Sequence, residues 1–231
     1  MIIDKTYFKG EIYLPYIRSN ISDEVSSEES DVLEFINDYS REVLLRSLGT
    51  TLFIEFESQL DDQTPTGLIA GSPEKWNKLL NGSTYVDKDG NNRIWRGIRY
   101  KSMSNGNYDR SFIANYVYFF FESNSFITRS GIGNQIEQGA NSETIVPNQK
   151  VSKAWNKFVS NVQGNLSRGL KLGLDYRVIQ RRIGLGIDYW LDAGGQDASL
   201  YQFIDETNEV TADTYAKFNG EIFEELNQFG I

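Results

Sequence analysis

Cysteine and histidine are both absent from the 231 residues, and proline occurs only four times. Without thiols there is no disulfide framework, no thiolate metal site and no cysteine nucleophile. Without imidazole, the usual general base and the middle member of a Ser-His-Asp triad are missing as well. Long apolar runs are also lacking. The longest, Phe112 to Phe121, is ten residues and contains Asn115, against the roughly 20 needed for a helix to span a bilayer. No charged-then-apolar leader opens the chain. The expectation is a non-enzymatic protein made in the cytoplasm, with no metal, no cofactor and no membrane insertion.

What the chain does have is enough apolar material for a core, 39% of residues, and an uneven distribution of charge around a net −9. Between Ser19 and Ser40 lie seven carboxylates and no base. From Arg168 to Arg182 there are five bases, Arg168, Lys171, Arg177, Arg181 and Arg182, against Asp175 alone. From Asp188 onward ten carboxylates face one base, Lys217. An acidic chain is repelled by free nucleic acid, whose binding depends on neutralising phosphates. The basic stretch is expected to pair with acidic segments of its own or a neighbouring chain, with Arg177, Arg181 and Arg182 as candidate inter-subunit charges.

Periodicity predicts a mainly α protein: a helical bundle core with an inserted β-hairpin and a long projecting loop. Residues 1–30 read as an N-terminal arm and acidic linker, 31–165 as the helical core, and 166–231 as a C-terminal extension, basic and then acidic. From Asp31, the positions Leu33, Ile36, Val43, Leu44 and Leu48 follow a 3.6-residue period. Gly49 ends that helix, since glycine accepts the left-handed conformation. A second helix carries Leu52, Phe53, Phe56 and Leu60. Ser72-Pro73-Glu74 has the hydroxyl, proline and acid of a helix start, leading to Trp76, Leu79 and Leu80. Residues 83–100 read as a hairpin turning at Asp89-Gly90. Tyr108 to Phe121, with seven aromatics, reads as a helix buried on most sides. The polar, glycine-bearing loop 124–146 is long enough to suggest a functional role. After Pro147 a helix presents Val151, Ala154, Trp155, Phe158, Val159 and Val162. Two terminal helices are expected, Ser199 to Glu206 and Asp213 to Gln228.

Few constellations carry chemistry. Asp87-Lys88-Asp89-Gly90 opens like a calcium loop, but its glycine comes two residues early and Arg96 stands six beyond that glycine, where a bidentate Glu belongs. A hairpin turn explains the same residues. Gly131-Ile132-Gly133 and Gly184-Leu185-Gly186 each lack the third glycine of a dinucleotide fingerprint, and no Gly-Lys-Ser/Thr occurs. Acidic pairs such as Asp61-Asp62 and Glu224-Glu225 sit in solvated runs, although aromatics and carboxylates leave a glycosidase-like or sugar-binding module as an alternative. The residue types of interaction hot spots fall on the hairpin, at Arg93, Trp95 and Arg96; the other reading of Trp95 is packing under its own domain. In the long loop the candidate contacts are Arg129, Ile132 and Ile136.

Several local signals, in order, resemble one group of proteins. They are Leu48-Gly49 closing an amphipathic helix, Trp76-Asn77-Lys78-Leu79-Leu80-Asn81-Gly82 before a hairpin, and the aromatic helix ending near Phe121. Thr128-Arg129-Ser130-Gly131-Ile132-Gly133, Asn141, Val146-Pro147, Lys153-Ala154-Trp155-Asn156 and the closing Asn227-Gln228-Phe229-Gly230-Ile231 complete the set. Over about Asp31 to Asn161 and the last few residues, the chain resembles the head–tail connector, or adaptor, proteins of tailed phages of Bacteroidetes, including crAss-like phages. It is similar, more loosely, to the helical adaptor rings of siphophages. The resemblance implies a structural virion protein without catalysis, made in the host cytoplasm and placed in the neck. There it would form a ring, a dodecamer matching the portal protein, that extends the channel for dsDNA and seats the next tail protein. A stopper or tail-completion protein is the alternative within the same class.

Overall fold

The computed structural model describes residues 2–14, 27–102, 108–125, 128–130, 133–135, 148–164, 198–212, 214–224 and 226. Among them are six α-helices: α1 (Ser27–Leu48), α2 (Thr50–Glu57), α3 (Glu74–Asn81), α4 (Phe112–Ser125), α5 (Asn148–Gln163) and α6 (Leu200–Val210). Six short strands form three antiparallel pairs: β1 (Ser83–Val86) with β2 (Asn92–Trp95), β3 (Arg99–Ser102) with β4 (Tyr108–Ser111), and β5 (Thr128–Ser130) with β6 (Gly133–Gln135). The fold is mainly α with an inserted hairpin, as the periodicity predicts; two further hairpins were not expected, and one of them, β5–β6, falls within the stretch 124–146 read as a projecting loop. Among the described residues no helix is long and apolar enough to cross a membrane.

The central helix is α4, which packs against α1 on one side and α5 on another. Phe112, Ile113, Ala114, Tyr116, Val117 and Tyr118 are all buried, so nearly every face of its first two turns meets protein. That explains its unbroken apolar run, since a helix buried all round has no polar stripe. From α1 come Val32, Ile36, Val43, Leu44 and Leu48, and from α5 come Val151, Ala154, Phe158, Val159 and Val162. Aromatic rings lock the layer: Tyr116 lies 4.9 Å from Phe158 and 5.8 Å from Trp155, centroid to centroid. Ile3, Tyr7 and Phe8, held on 3-10 turns near the start of the chain, join the same hydrophobic cluster as Phe203 and Tyr215 near its end.

Gly49 separates α1 from α2 with φ +81°, and a Cβ there would stand 2.6 Å from the Asn219 carbonyl oxygen. Both its conformation and its neighbour therefore require glycine.

Five local expectations are corrected. The aromatic helix begins at Phe112, not Tyr108, because 108–111 pairs as a strand with 99–102. Ser111 Oγ then accepts from the Ile113 amide at 3.1 Å and donates to the Ile98 carbonyl at 2.7 Å, capping the helix. The hairpin ends at Trp95 and not at residue 100, since Arg99 and Tyr100 start a second one. Helix α2 stops at Glu57, and Leu60 instead bridges to Leu68. Pro73, not Ser72, holds the cap position of α3, and Ser72 Oγ has no partner. Finally, the chain over 214–224 is a turn followed by an irregular strap, not a helix. Three amides past Phe218 bond outside the segment: Asn219 to the Leu48 carbonyl, Glu221 to the Arg46 carbonyl, and Phe223 to the Gln163 side chain. In a helix each of those donors would bond four residues back.

Candidate functional site

The hairpin β1–β2 is rooted by two glycines. Gly82 and Gly97 have φ of +91° and +92°, and a Cβ on Gly97 would lie 2.5 Å from the Gly82 nitrogen. One backbone thus lies directly on the other where the hairpin leaves α3. From there the register pairs Ser83 with Trp95, Tyr85 with Arg93 and Val86 with Asn92. Side chains alternate across a strand pair, so Tyr85, Arg93 and Trp95 share one face and Thr84 and Val86 the other.

The inner face is fixed to α6 and α3. Trp95 is 3% exposed, stacks on Phe203 at 5.6 Å and 15°, and donates its indole N–H to the Leu79 carbonyl at 3.0 Å. The Ala198 amide, just ahead of α6, donates to the Ile94 carbonyl at 2.9 Å. Tyr85 packs edge-on to Phe203 at 5.3 Å and donates its hydroxyl to Glu206 at 2.7 Å. Arg93 lies 3.2 Å from Asp87 and 3.8 Å from Glu206. Gln202 donates at 2.8 Å to Glu206 Oε1, the oxygen nearest Arg93, while Tyr85 takes Oε2, and Lys88 reaches Glu209 at 3.6 Å. The side chains of Arg93, Asp87 and Glu206 are 15%, 5% and 14% exposed, so this ionic bridge sits largely out of water.

Asp87 organises the turn. Its Oδ1 accepts from the Asp89 amide at 3.0 Å and the Asn91 amide at 2.8 Å, while Oδ2 takes the Arg93 Nε–H. Burial pushes this carboxyl upward, but the bonds from Asn91 and Arg93 outweigh it and leave it below the usual carboxylate range. Burial, helped by the charge of Glu206, pushes the Tyr85 phenol well above its ordinary value, so it stays a neutral donor. Lys88, Asp89, Gly90, Asn91 and Asn92 at the tip are exposed, and so is Val86 at 50% on the outer face. The arrangement is a rigid finger whose inner face is committed and whose tip is free to touch another surface.

For Trp95 the structure shows the second of its two readings, packing under its own domain. Trp95 and Arg93 brace the finger within its own subunit. Arg96 lies just beyond it, half-buried, with its guanidinium over the Tyr100 ring at 5.4 Å. Arg129 is on β5, opposite Asn134 in register. Ile132, Ile136, Arg177, Arg181 and Arg182 lie outside the described residues. Sequence reasoning missed Glu206 and Gln202, and read Asp87 only as part of the turn. The signal for Asp87 was its place two residues after Tyr85, on the face shared with Arg93 and Trp95; nothing local connects that face to a helix near residue 206. Among the described residues, no group of three or more acidic side chains is placed to hold a metal ion. Compared with protein-family models, curated proteins and solved structures, the chain finds no match.

Proposed function

We propose that this chain is the subunit of a head–tail connector: a ring in the neck of a tailed phage that docks beneath the portal, continues its channel and receives the next tail protein. The observation that supports this best is the finger at 83–95. Its inner face is bonded throughout to α3 and α6 while its tip stays exposed, which suits a preformed docking element that orders little on binding. The central bundle of α1, α4 and α5 supplies a stiff wedge behind it. The net charge of −9 fits a channel wall along which duplex DNA slides, because a surface rich in carboxylates gives phosphates little anchorage. Uneven charge along one chain also favours head-to-tail contacts, the geometry that closes into rings.

Native mass spectrometry of the purified chain, alone and with portal protein, tests the reading. A discrete species near a dozen subunits is expected in at least one of the two samples. A 26.4 kDa monomer that ignores the portal overturns it. Replacing Asp89 at the tip by a bulky residue is expected to weaken portal binding without lowering the melting temperature.

A further inference from the structure

The strap that ends the described chain is held largely by its backbone. Three side-chain amides each grip one residue of it through both backbone groups. Asn208 accepts from the Tyr215 amide at 2.6 Å and donates to its carbonyl at 3.3 Å. Gln163 accepts from the Phe223 amide at 2.8 Å and donates to its carbonyl. Asn156 does the same for Leu226, at 2.8 and 2.7 Å. Between the first clamp and the other two, the end of α1 takes two amides: Asn219 on the Leu48 carbonyl at 3.2 Å and Glu221 on the Arg46 carbonyl at 2.8 Å.

Between those two amides lies an Asn-Gly pair. The chain has three, Asn81-Gly82, Asn105-Gly106 and Asn219-Gly220, and the second lies outside the described residues. Asparagine followed by glycine is especially prone to close a succinimide ring, because no Cβ on the second residue screens its nitrogen. At Gly220 packing requires that glycine, since a Cβ there would run into the Ser47 carbonyl oxygen and the Tyr201 hydroxyl.

The two described pairs are matched in exposure: both asparagines are exposed and both glycines half-buried. They differ in bonding. Asn81 is the last residue of α3, and the Gly82 nitrogen donates to the Lys78 carbonyl at 3.1 Å in a helical bond. The Asn81 carboxamide is tied at both ends, donating to the Thr66 carbonyl at 3.0 Å and Asn77 Oδ1 at 2.8 Å and accepting from Arg99 Nε at 2.8 Å. Ring closure there must break all of these. Asn219 stands in irregular chain, and neither its carboxamide nor the Gly220 nitrogen has a hydrogen-bond partner among the described residues.

We propose that Asn219 deamidates in the folded protein and that its product unties the strap from α1. The Gly220 nitrogen, its proton passing to solvent, attacks Asn219 Cγ. The N–Cγ bond forms, the Cγ–Nδ2 bond breaks, and Nδ2 leaves as ammonia. Water then opens the ring, at Cγ to give aspartate or at the main-chain carbonyl to give isoaspartate. The sum is water consumed and ammonia released, with no redox change. Isoaspartate routes the chain through the former side chain and adds a backbone carbon between residues 219 and 220. The amides of 219 and 221 then fall out of step with the Leu48 and Arg46 carbonyls. Either product brings a carboxylate to the C-terminal end of α1, where the helix dipole disfavours negative charge. The clamps on Phe223 and Leu226 are untouched, so the strap loosens locally. The reaction needs no partner, does not depend on the connector reading, and runs one way.

The purified chain is held at mildly alkaline pH, folded and in parallel in urea, then digested and mapped by mass spectrometry with isoaspartate resolved from aspartate. Measured against the urea sample, folding is expected to slow conversion of Asn81 several-fold more than that of Asn219. Equal slowing, or more at Asn219, overturns the proposal. In the aged folded protein the Glu221 amide should lose protection from hydrogen exchange while the Phe223 amide keeps it. Aged Asn219→Gln, whose longer side chain closes its ring far more slowly, should keep both. Isoaspartate at 219 with the Glu221 amide still protected overturns the untying.

Discussion

The finger and the strap are both held against the helical core, yet by opposite chemistry. The finger depends on particular side chains: Arg93 between Asp87 and Glu206, Tyr85 on Glu206, and Trp95 stacked on Phe203. The strap depends mostly on its own backbone, gripped by Asn156, Gln163 and Asn208, with Tyr215 and Phe223 as buried aromatics and one ion pair, Arg46 with Glu221. Charge networks fix a single partner and a single geometry. Backbone clamps hold any chain of the right shape. The first suits an element that must point one way, the second a segment whose own side chains matter less.

Five substitutions follow, from the largest effect to the smallest, the first four on the finger and the strap. Asp87→Ala leaves Arg93 largely buried without its nearest charge and strips the turn of its organiser. By analogy with other broken buried pairs it should cost about 3–5 kcal/mol, read as a lower urea midpoint, with the hairpin amides losing protection from hydrogen exchange. Phe223→Ala empties the strap's anchor and should cost about 3 kcal/mol. Its hydrogen exchange should rise over 219–226 while the finger stays protected; loss of protection in both regions would mean they are not independent.

Gln163→Leu tests the clamps alone. Gln163 is fully buried, so its loss orphans both backbone groups of Phe223, at about 1–3 kcal/mol. Asn156→Leu should cost less, because Asn156 is only half-buried and water can replace it. Equal costs would argue against the clamp as the source of the effect.

The smallest effect is on Glu11, which bonds Lys153 at 2.6 Å and Lys157 at 2.5 Å across to α5. These two bonds lower its carboxyl to about 2, against a modest opposing push from burial. A depressed carboxylate adds stability above its unfolded value of about 4.5 and loses it as pH falls toward 2. Glu11 is about half exposed, so screening trims the contribution to about 1 kcal/mol or less. Glu11→Gln should flatten the stability profile slightly between pH 4.5 and 2, with most of the acid sensitivity left in place. Asp87, also held below the usual range, loses stability in the same direction.

Much of the helical core was legible because its signals are local. The apolar positions of α1, the stop at Gly49, the buried face of α5 and the turn at Asp89-Gly90 each follow from a short window of sequence. The strap was not legible for the same reason. Phe218, Ile222, Phe223 and Leu226 have helix-like spacing, and only the distant carbonyls of α1 and amides of α5 draw the backbone out of a helix. Strand β4 was hidden likewise, since its polar residues look like the prelude to an aromatic helix until 99–102 pairs with them. The finger's site was half legible. Arg93 and Trp95 stood out by type, but their true neighbours, Glu206 and Phe203, come from a helix more than 100 residues away in the chain.

The root of the finger has a mechanical consequence. Where Gly82 and Gly97 meet, peptide planes touch with no side chain between them, so the joint has no soft layer to compress. A push on the tip at Asp89-Gly90 is delivered through two strands into α3 and, by way of Trp95 on the Leu79 carbonyl, into the same helix a second time. The finger is built as a lever on a hard pivot, and its direction is set at the root rather than by the exposed side chain of Asp89.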